Sequence, residues 1–296
     1  MTTFAEVVAR TRSRLMTSQR EPVNQLGATI TDSDTTVTFA NAVSFHDGVR
    51  LSIGLEDIYV VDVATAGTSA TVIRGVDGST AAAHTAPATV HINPVWTNWQ
   101  IAQAVNDELH SLSAPTTGLF RIRTVDFDYQ PAVAGYNLTG LQGYIDVWRV
   151  RYDTPGPTND WPVIPRSMWR VDRAADTTDF ADGTALILAA GGFPGQKVRV
   201  SYKSSYTTLA TLDDNVETVS GLHAEAHDIL SLGAALRLMS TYEAQRAYTT
   251  TQADTRYATE VPPRTASAAL IPLIEARQER IVEEQARLAR SYPEAI

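Results

Sequence analysis

The chain has 296 residues, 44% of them hydrophobic and 19% charged, with a formal net charge of −9. Size and balance support a folded protein of about two domains with a real core. The absence of cysteine excludes disulfides, thiolate metal sites and cysteine nucleophiles, and the acidic balance excludes the basic footprint of a tight nucleic-acid binder.

The N-terminal MTTFAEVVARTRSRL has no apolar signal core, and nowhere do roughly 18 apolar residues run together as a membrane span requires. Synthesis in the cytoplasm and no membrane association are therefore expected. Thr3 and Glu6 stand at capping-box spacing, and Phe4, Val7, Val8 and Leu15 fall near one face, which predicts a helix from Thr3 to about Arg14. Gln19 to Gly27 reads as a connection, so residues 1–27 form a first segment.

Residues 28–96 switch to short strands at Thr29–Ile30, Val37–Phe39, Val49–Ile53, Ile58–Val63, Thr71–Ile73 and Val90–Ile92. Turn residues at 32–34, 47–48 and 67–69 divide them, predicting a small antiparallel barrel or sandwich. Within it, Arg74-Gly75-Val76-Asp77-Gly78 is a tight turn in which Asp-Gly supplies positive φ. Arg74 and His84 are the reactive side chains of that stretch. A lone Arg beside a turn serves more often to fix a loop carbonyl or carboxylate than to bind a ligand, so Arg74, Gly75, Gly78 and His84 are read as a structural turn.

A second helix is predicted over Thr97–Ser111, with a capping box in Thr97 and Gln100 and an apolar stripe of Ile101, Val105, Leu109 and Leu112. Asn106, Asp107 and Glu108 face away from that stripe. Ser113 to Gly118 is a linker that completes segment 97–118. Segment 119–212 carries strand candidates at Phe120–Val125, Tyr144–Tyr152, Met168–Val171, Ala185–Leu188 and Val198–Tyr202. No helical pattern of crossover length separates them, so an antiparallel sandwich is expected, anchored by Trp148, Trp161 and Trp169.

Segment 213–296 is helical, with one helix over His223–Arg246 and another over Ala266–Arg290, where Pro272 marks a kink or the first turn. The last helix is heavily charged around a thin strip of Leu270, Ile274, Ile281 and Leu288, the pattern of a helix that rides on the surface or packs against other subunits. The fold class expected is α+β: a bundle of N-terminal, middle and C-terminal helices with two inserted antiparallel β domains.

Chemistry is sparse. His223 and His227 stand at i,i+4 spacing, but Ala224 occupies the position where zincins place Glu, and histidines that cap or pack a helix start are the simpler reading. Gly191-Gly-Phe-Pro-Gly195-Gln-Lys197 lacks Walker spacing and precedes a strand pattern, so it is a hairpin turn. The acidic pairs Glu56-Asp57 and Asp213-Asp214 read as solvated turn residues, and Asn137-Leu138-Thr139 as a polar loop. No catalytic residue, metal ligand or cofactor is assigned.

Two stretches carry a resemblance. Arg74-Gly75, Gly78-Ser79 and Ala82-Ala83-His84, followed by an apolar strand, Pro94 and an amphipathic helix, resemble a segment of virion proteins of tailed bacteriophages. Gly233-Ala234-Ala235 with Leu236-Arg237-Leu238, and Glu243 and Arg246 beyond, resemble the helical part of head-to-tail connector, or adaptor, proteins that dock under the portal ring. The resemblance implies a structural, non-enzymatic virion protein of the neck, assembled in the host cytoplasm. It would form a dodecameric ring between the portal protein and tail-proximal neck or tail terminator proteins, with DNA passing unbound through its lumen. Leu236, Met239, Tyr242, Arg246, Leu270, Ile274 and Ile281 are then interface or bundle-core candidates. The alternative is a tail, baseplate or other neck protein whose sandwich binds a ligand through Trp148, Trp161 or Trp169.

Overall fold

The computed structural model describes residues 2–16, 21–42, 45–133, 135–138, 140–153, 161–189, 192–252 and 265–293, with the backbone alone for 242–252 and 265–269. The fold is mixed α+β with antiparallel sheets. The chain divides into two compact units, Met1–Leu109 with Thr208–Ile281, and His110–Thr207 with Val282–Ile296.

In the first unit, helix α1 (Phe4–Leu15) begins where the Thr3 hydroxyl accepts the Glu6 N–H at 3.3 Å, and it buries Phe4, Val7, Val8 and Thr11. Six strands follow: β1 (Val23–Gln25), β2 (Thr36–Thr38), β3 (Arg50–Ile53), β4 (Glu56–Val63), β5 (Ser69–Ile73) and β6 (Thr89–Ile92). They form one antiparallel sheet in the order β1-β6-β3-β4-β5-β2. Its two edges then meet: Gly27 N–H donates to Thr38 O at 2.8 Å, Ala40 N–H donates to Gln25 O at 2.9 Å, and Leu26 bridges Phe39. A Cβ at Gly27 would lie 2.9 Å from Phe39 O, so only glycine lets the edges approach this closely.

Alternation fills the resulting small barrel. Ile58 and Val60 of β4 point inward beside Leu51, Ile53, Val72, Val90 and Phe39, while Tyr59 and Val61 face out. Each buried aliphatic side chain contributes about 1.5–3 kcal/mol. β1 was read as connection, and three residues are too few to show a period. The expected strand at Thr29–Ile30 reduces to one bridge between Ile30 and His84.

Helix α2 (Asn98–Leu112) starts from the reciprocal capping box: the Thr97 hydroxyl accepts the Gln100 N–H and the Gln100 amide oxygen accepts the Thr97 N–H, both at 3.2 Å. Past the second unit come α3 (Val216–Ser220), α4 (His227–Gln252) and α5 (Thr265–Ser291). α1 lies against α4. Pro272 sits inside α5, well past its first turn, where it withholds one helical N–H. No helix among the described residues is long and apolar enough to cross a membrane.

The second unit contains β7 (Arg121–Asp128), β8 (Tyr136–Asn137), β9 (Tyr144–Tyr152), β10 (Trp169–Asp172), β11 (Ala185–Leu188) and β12 (Lys197–Ser204). Two three-stranded antiparallel sheets, β10-β11-β8 and β7-β12-β9, share one core that includes Val147, Val150, Val198 and Val200 from one and Trp169 and Leu186 from the other. Asn137 belongs to β8 rather than to a polar loop. Phe193 to Gln196 turns into β12, with Gly191 outside the described residues.

Candidate functional site

The turn of residues 74–84 is organised by a carboxylate read from sequence as solvated. Glu56 opens β4 and is 1% exposed. Arg74 donates to it through Nε at 2.6 Å and Nη2 at 2.7 Å, and His84 Nε2 lies 2.8 Å from its Oε2. The backbone N–H groups of Gly75 and Ala82 add two donations at 3.2 Å. Arg74 also reaches the carbonyls of Thr31 at 2.7 Å and Ala82 at 2.6 Å, while the His84 backbone exchanges two hydrogen bonds with Ile30. Positive φ at Gly75 (63°), Asp77 (55°) and Gly78 (86°) lets the chain wrap this group. A Cβ at Gly75 would meet Ala81 N at 3.0 Å.

Burial pushes the Glu56 carboxyl up, but hydrogen bonds from His84, Arg74 and Ala82 N, with the charge of Arg74, outweigh it and hold the pKa down to about 2. Five donors saturate both oxygens, and so weak a base has no proton to take at neutral pH. A cavity of about 530 Å³ adjoins Glu56, Ala83, His84 and Trp99. The Glu56 group is therefore a knot that sets the loop, with no spare lone pair for chemistry.

Asp57, also read as solvated, is fully buried. Its backbone binds the loop: Ser79 Oγ accepts the Asp57 N–H at 2.9 Å, and Val76 N–H donates to Asp57 O at 3.0 Å. Its carboxylate oxygens have no partner of good geometry among the described residues. Burial pushes this carboxyl up and Asp77 adds to the shift, while Thr97, Ser52 and Arg50 oppose it. Asp214, by contrast, is employed in a turn, accepting from Ala210 N–H at 2.7 Å and from the Thr211 N–H and hydroxyl at 2.9 and 2.7 Å, which holds its pKa down.

The helices hold a second buried carboxylate. Glu108 was placed with Asn106 and Asp107 on the outward face of α2, yet it is 1% exposed. Arg237 Nε of α4 donates to it at 3.1 Å and Arg277 Nε of α5 at 2.6 Å. The space it occupies exists because residue 233 of α4 is glycine: a Cβ there would lie 2.0 Å from Glu108 Cδ. Asn106 also turns inward and exchanges two hydrogen bonds of 2.9 Å with the Leu209 backbone. A third node joins α1 to α2, where Arg12 binds Glu21 and, at 2.7 Å, the Asn98 side-chain oxygen. Beside it is a cavity of about 590 Å³ lined by Val8, Met16, Val23 and His91. Burial, then Arg12, pushes the His91 imidazole pKa down.

His223 and His227 do not share one helical face. His223 precedes a 3₁₀ turn over 224–226, and its Nδ1 accepts the Glu225 N–H at 3.4 Å. His227 is buried at the start of α4 and donates its Nε2–H to Leu222 O at 3.0 Å; burial lowers its pKa. No group of three or more potential metal ligands lies together among the described residues.

The interface candidates separate. Ile281 is buried within its own chain, Leu236, Met239 and Leu270 are half-buried, and Ile274 is 54% exposed. The side chains of Tyr242, Glu243 and Arg246, and residues 261–263, lie outside the described residues. The apolar seam of α5 is covered unevenly: Ile281 and Leu288 are buried, whereas Ile274, two turns earlier on the same side, is exposed, as are Ile271 and Val282. Trp169 is buried, and each of Trp148, Trp161 and Trp169 carries an arginine on its ring, Arg149 at 4.2 Å, Arg199 at 3.9 Å and Arg166 at 3.7 Å respectively. No protein-family model matches the chain, and no curated protein matches it.

Proposed function

We propose that the chain is a head-to-tail adaptor of a tailed bacteriophage, a structural virion protein that forms a ring beneath the portal and part of the DNA channel. In this reading the helices build a bundle into which the barrel and the sandwich are inserted. One observation carries it: α5 is a long, charged helix whose apolar seam is buried at Ile281 and Leu288 but stands exposed at Ile274, two turns earlier, with Ile271 and Val282 exposed beside it. An apolar strip on an otherwise polar helix is suited to burial against another protein, and a heterologous contact repeated by rotation closes a ring. The 74–84 turn and the Gly233–Leu238 segment supply the family likeness.

The test is the mass of the full chain alone and with portal protein. Rings are expected, and Ile274→Glu is expected to abolish them while the unfolding transition of the β regions stays where it was. A monomer indifferent to portal overturns the reading. A ligand-binding tail or baseplate module would need open indole faces, and the arginines on Trp148, Trp161 and Trp169 already take one face of each. Binding on a glycan array would restore that alternative.

A further inference from the structure

The second unit holds a cavity of about 190 Å³ lined by Asp146, Trp148, Arg149, Arg166, Trp169 and Lys203. It is smaller than the roughly 300 Å³ at which small-molecule pockets begin, so it has room for one compact group. Three cations face one carboxylate there, and Asp146 is itself engaged by Arg173 at 3.3 Å.

Each arginine lies over an indole ring. Arg149 stacks on Trp148, whose indole N–H donates to Pro293 O at 3.4 Å and whose ring meets Tyr292 edge-on at 5.3 Å. Arg166 stacks on Trp169, fixed by its indole N–H to Ile164 O at 3.3 Å. A stacked guanidinium keeps its in-plane N–H donors for a ligand. Among the described residues neither arginine pairs with a carboxylate, and Arg149 Nε is buried with no hydrogen-bond partner.

We propose that this cavity is a binding site for a phosphate-type dianion. Two guanidinium forks supply donors to several oxygens of one tetrahedral group, and, with Asp146 taken by Arg173, a dianion cancels their two positive charges. A single carboxylate leaves that charge half compensated. A nucleic-acid backbone track would need a run of such cations, whereas the unit has twelve basic and twelve acidic side chains. The site is independent of the adaptor reading.

Titration calorimetry of the full chain with inorganic phosphate at fixed ionic strength, with acetate as the monoanion, tests it. One saturable phosphate site is expected, with acetate at least about tenfold weaker. Arg149→Ala and Arg166→Ala should each weaken phosphate by about tenfold or more, and Arg10→Ala should bind as the parent does. Arg149→Lys, which keeps the charge and loses the fork, should also weaken binding, with an unchanged near-UV circular dichroism spectrum certifying its fold. No saturation in the millimolar range, equal affinity for acetate, or undiminished binding by the Arg149→Lys and Arg166→Ala proteins would each overturn the proposal. Competition by a 5′-phosphorylated trinucleotide and not by its unphosphorylated form assigns the source to a nucleic-acid terminus, and competition by neither assigns free phosphate. Competition by both overturns the dianion class.

Discussion

The two units handle charge in opposite ways. The first carries the whole net charge of −9, with twelve basic and 21 acidic side chains, yet Glu56, Asp57 and Glu108 are buried inside it. The second is neutral and, apart from Glu284, which is buried and clasped by Arg287, displays its charges: Arg199 pairs with Asp126 and Lys197 with Asp128 on the open face of β12. A buried carboxylate organises everything that must donate to it, because each unmet donor costs free energy. An exposed pair organises little, because water substitutes for either partner. In the first unit, then, buried charge specifies shape; in the second most of the charge stays at the surface.

Removing Glu56, which gathers five donors, should break the contrast most severely. Glu56→Ala strands Arg74 and His84 and should cost about 3–5 kcal/mol by urea unfolding. A loss below 1 kcal/mol, the scale of an exposed pair, would show that the knot is not needed.

Acid titration asks the same question without a mutation. Glu56 has a folded pKa of about 2 against an ordinary 4.5, so its contribution is complete above the ordinary value and is lost as pH falls through the folded one. The native chain should lose about 3 kcal/mol over that window, and Glu56→Gln should lack that component. Asp57, whose pKa is raised, acts with opposite sign, since protonation relieves its burial.

Gly233→Ala should cost about 1–3 kcal/mol, because the added methyl group overlaps the Glu108 carboxylate. In a Glu108→Ala background, itself destabilised because Arg237 and Arg277 lose their partner, Gly233→Ala should cost little, so a double-mutant cycle will read strong coupling. At the small end, Arg199→Ala should move stability by less than about 1 kcal/mol and should do so less at high salt. A larger effect would mean that the second unit also depends on its ion pairs.

Local signals made much of the fold legible. The capping boxes at Thr3 and Thr97 start their helices as the spacing predicts, and alternation located most of the barrel strands and β9, β11 and β12. β1 and β8, with three and two residues, are too short to carry a period. The turn residues Arg74, Gly75, Gly78 and His84 stood out in the chain, but Glu56, which gathers them, did not. Its partners lie up to 28 residues away, and Glu108 meets Arg277 across 169. Periodicity put Glu108 on a polar face, since nothing near it in the chain reports that a glycine on another helix has left room for a carboxylate. The same limit hid how the α5 seam is covered, because hydrophobicity alone does not say that Ile281 and Leu288 are buried while Ile274 is left exposed.

The joined edges of the barrel have a consequence wherever copies of the chain crowd together. An open strand edge invites pairing with the same edge of a neighbour, a hazard that grows with crowding. Here Gly27, Thr38, Gln25 and Ala40 spend those hydrogen bonds on one another. Barrels brought side by side at high local concentration will meet as finished surfaces, and association is left to side chains that selection can tune one at a time.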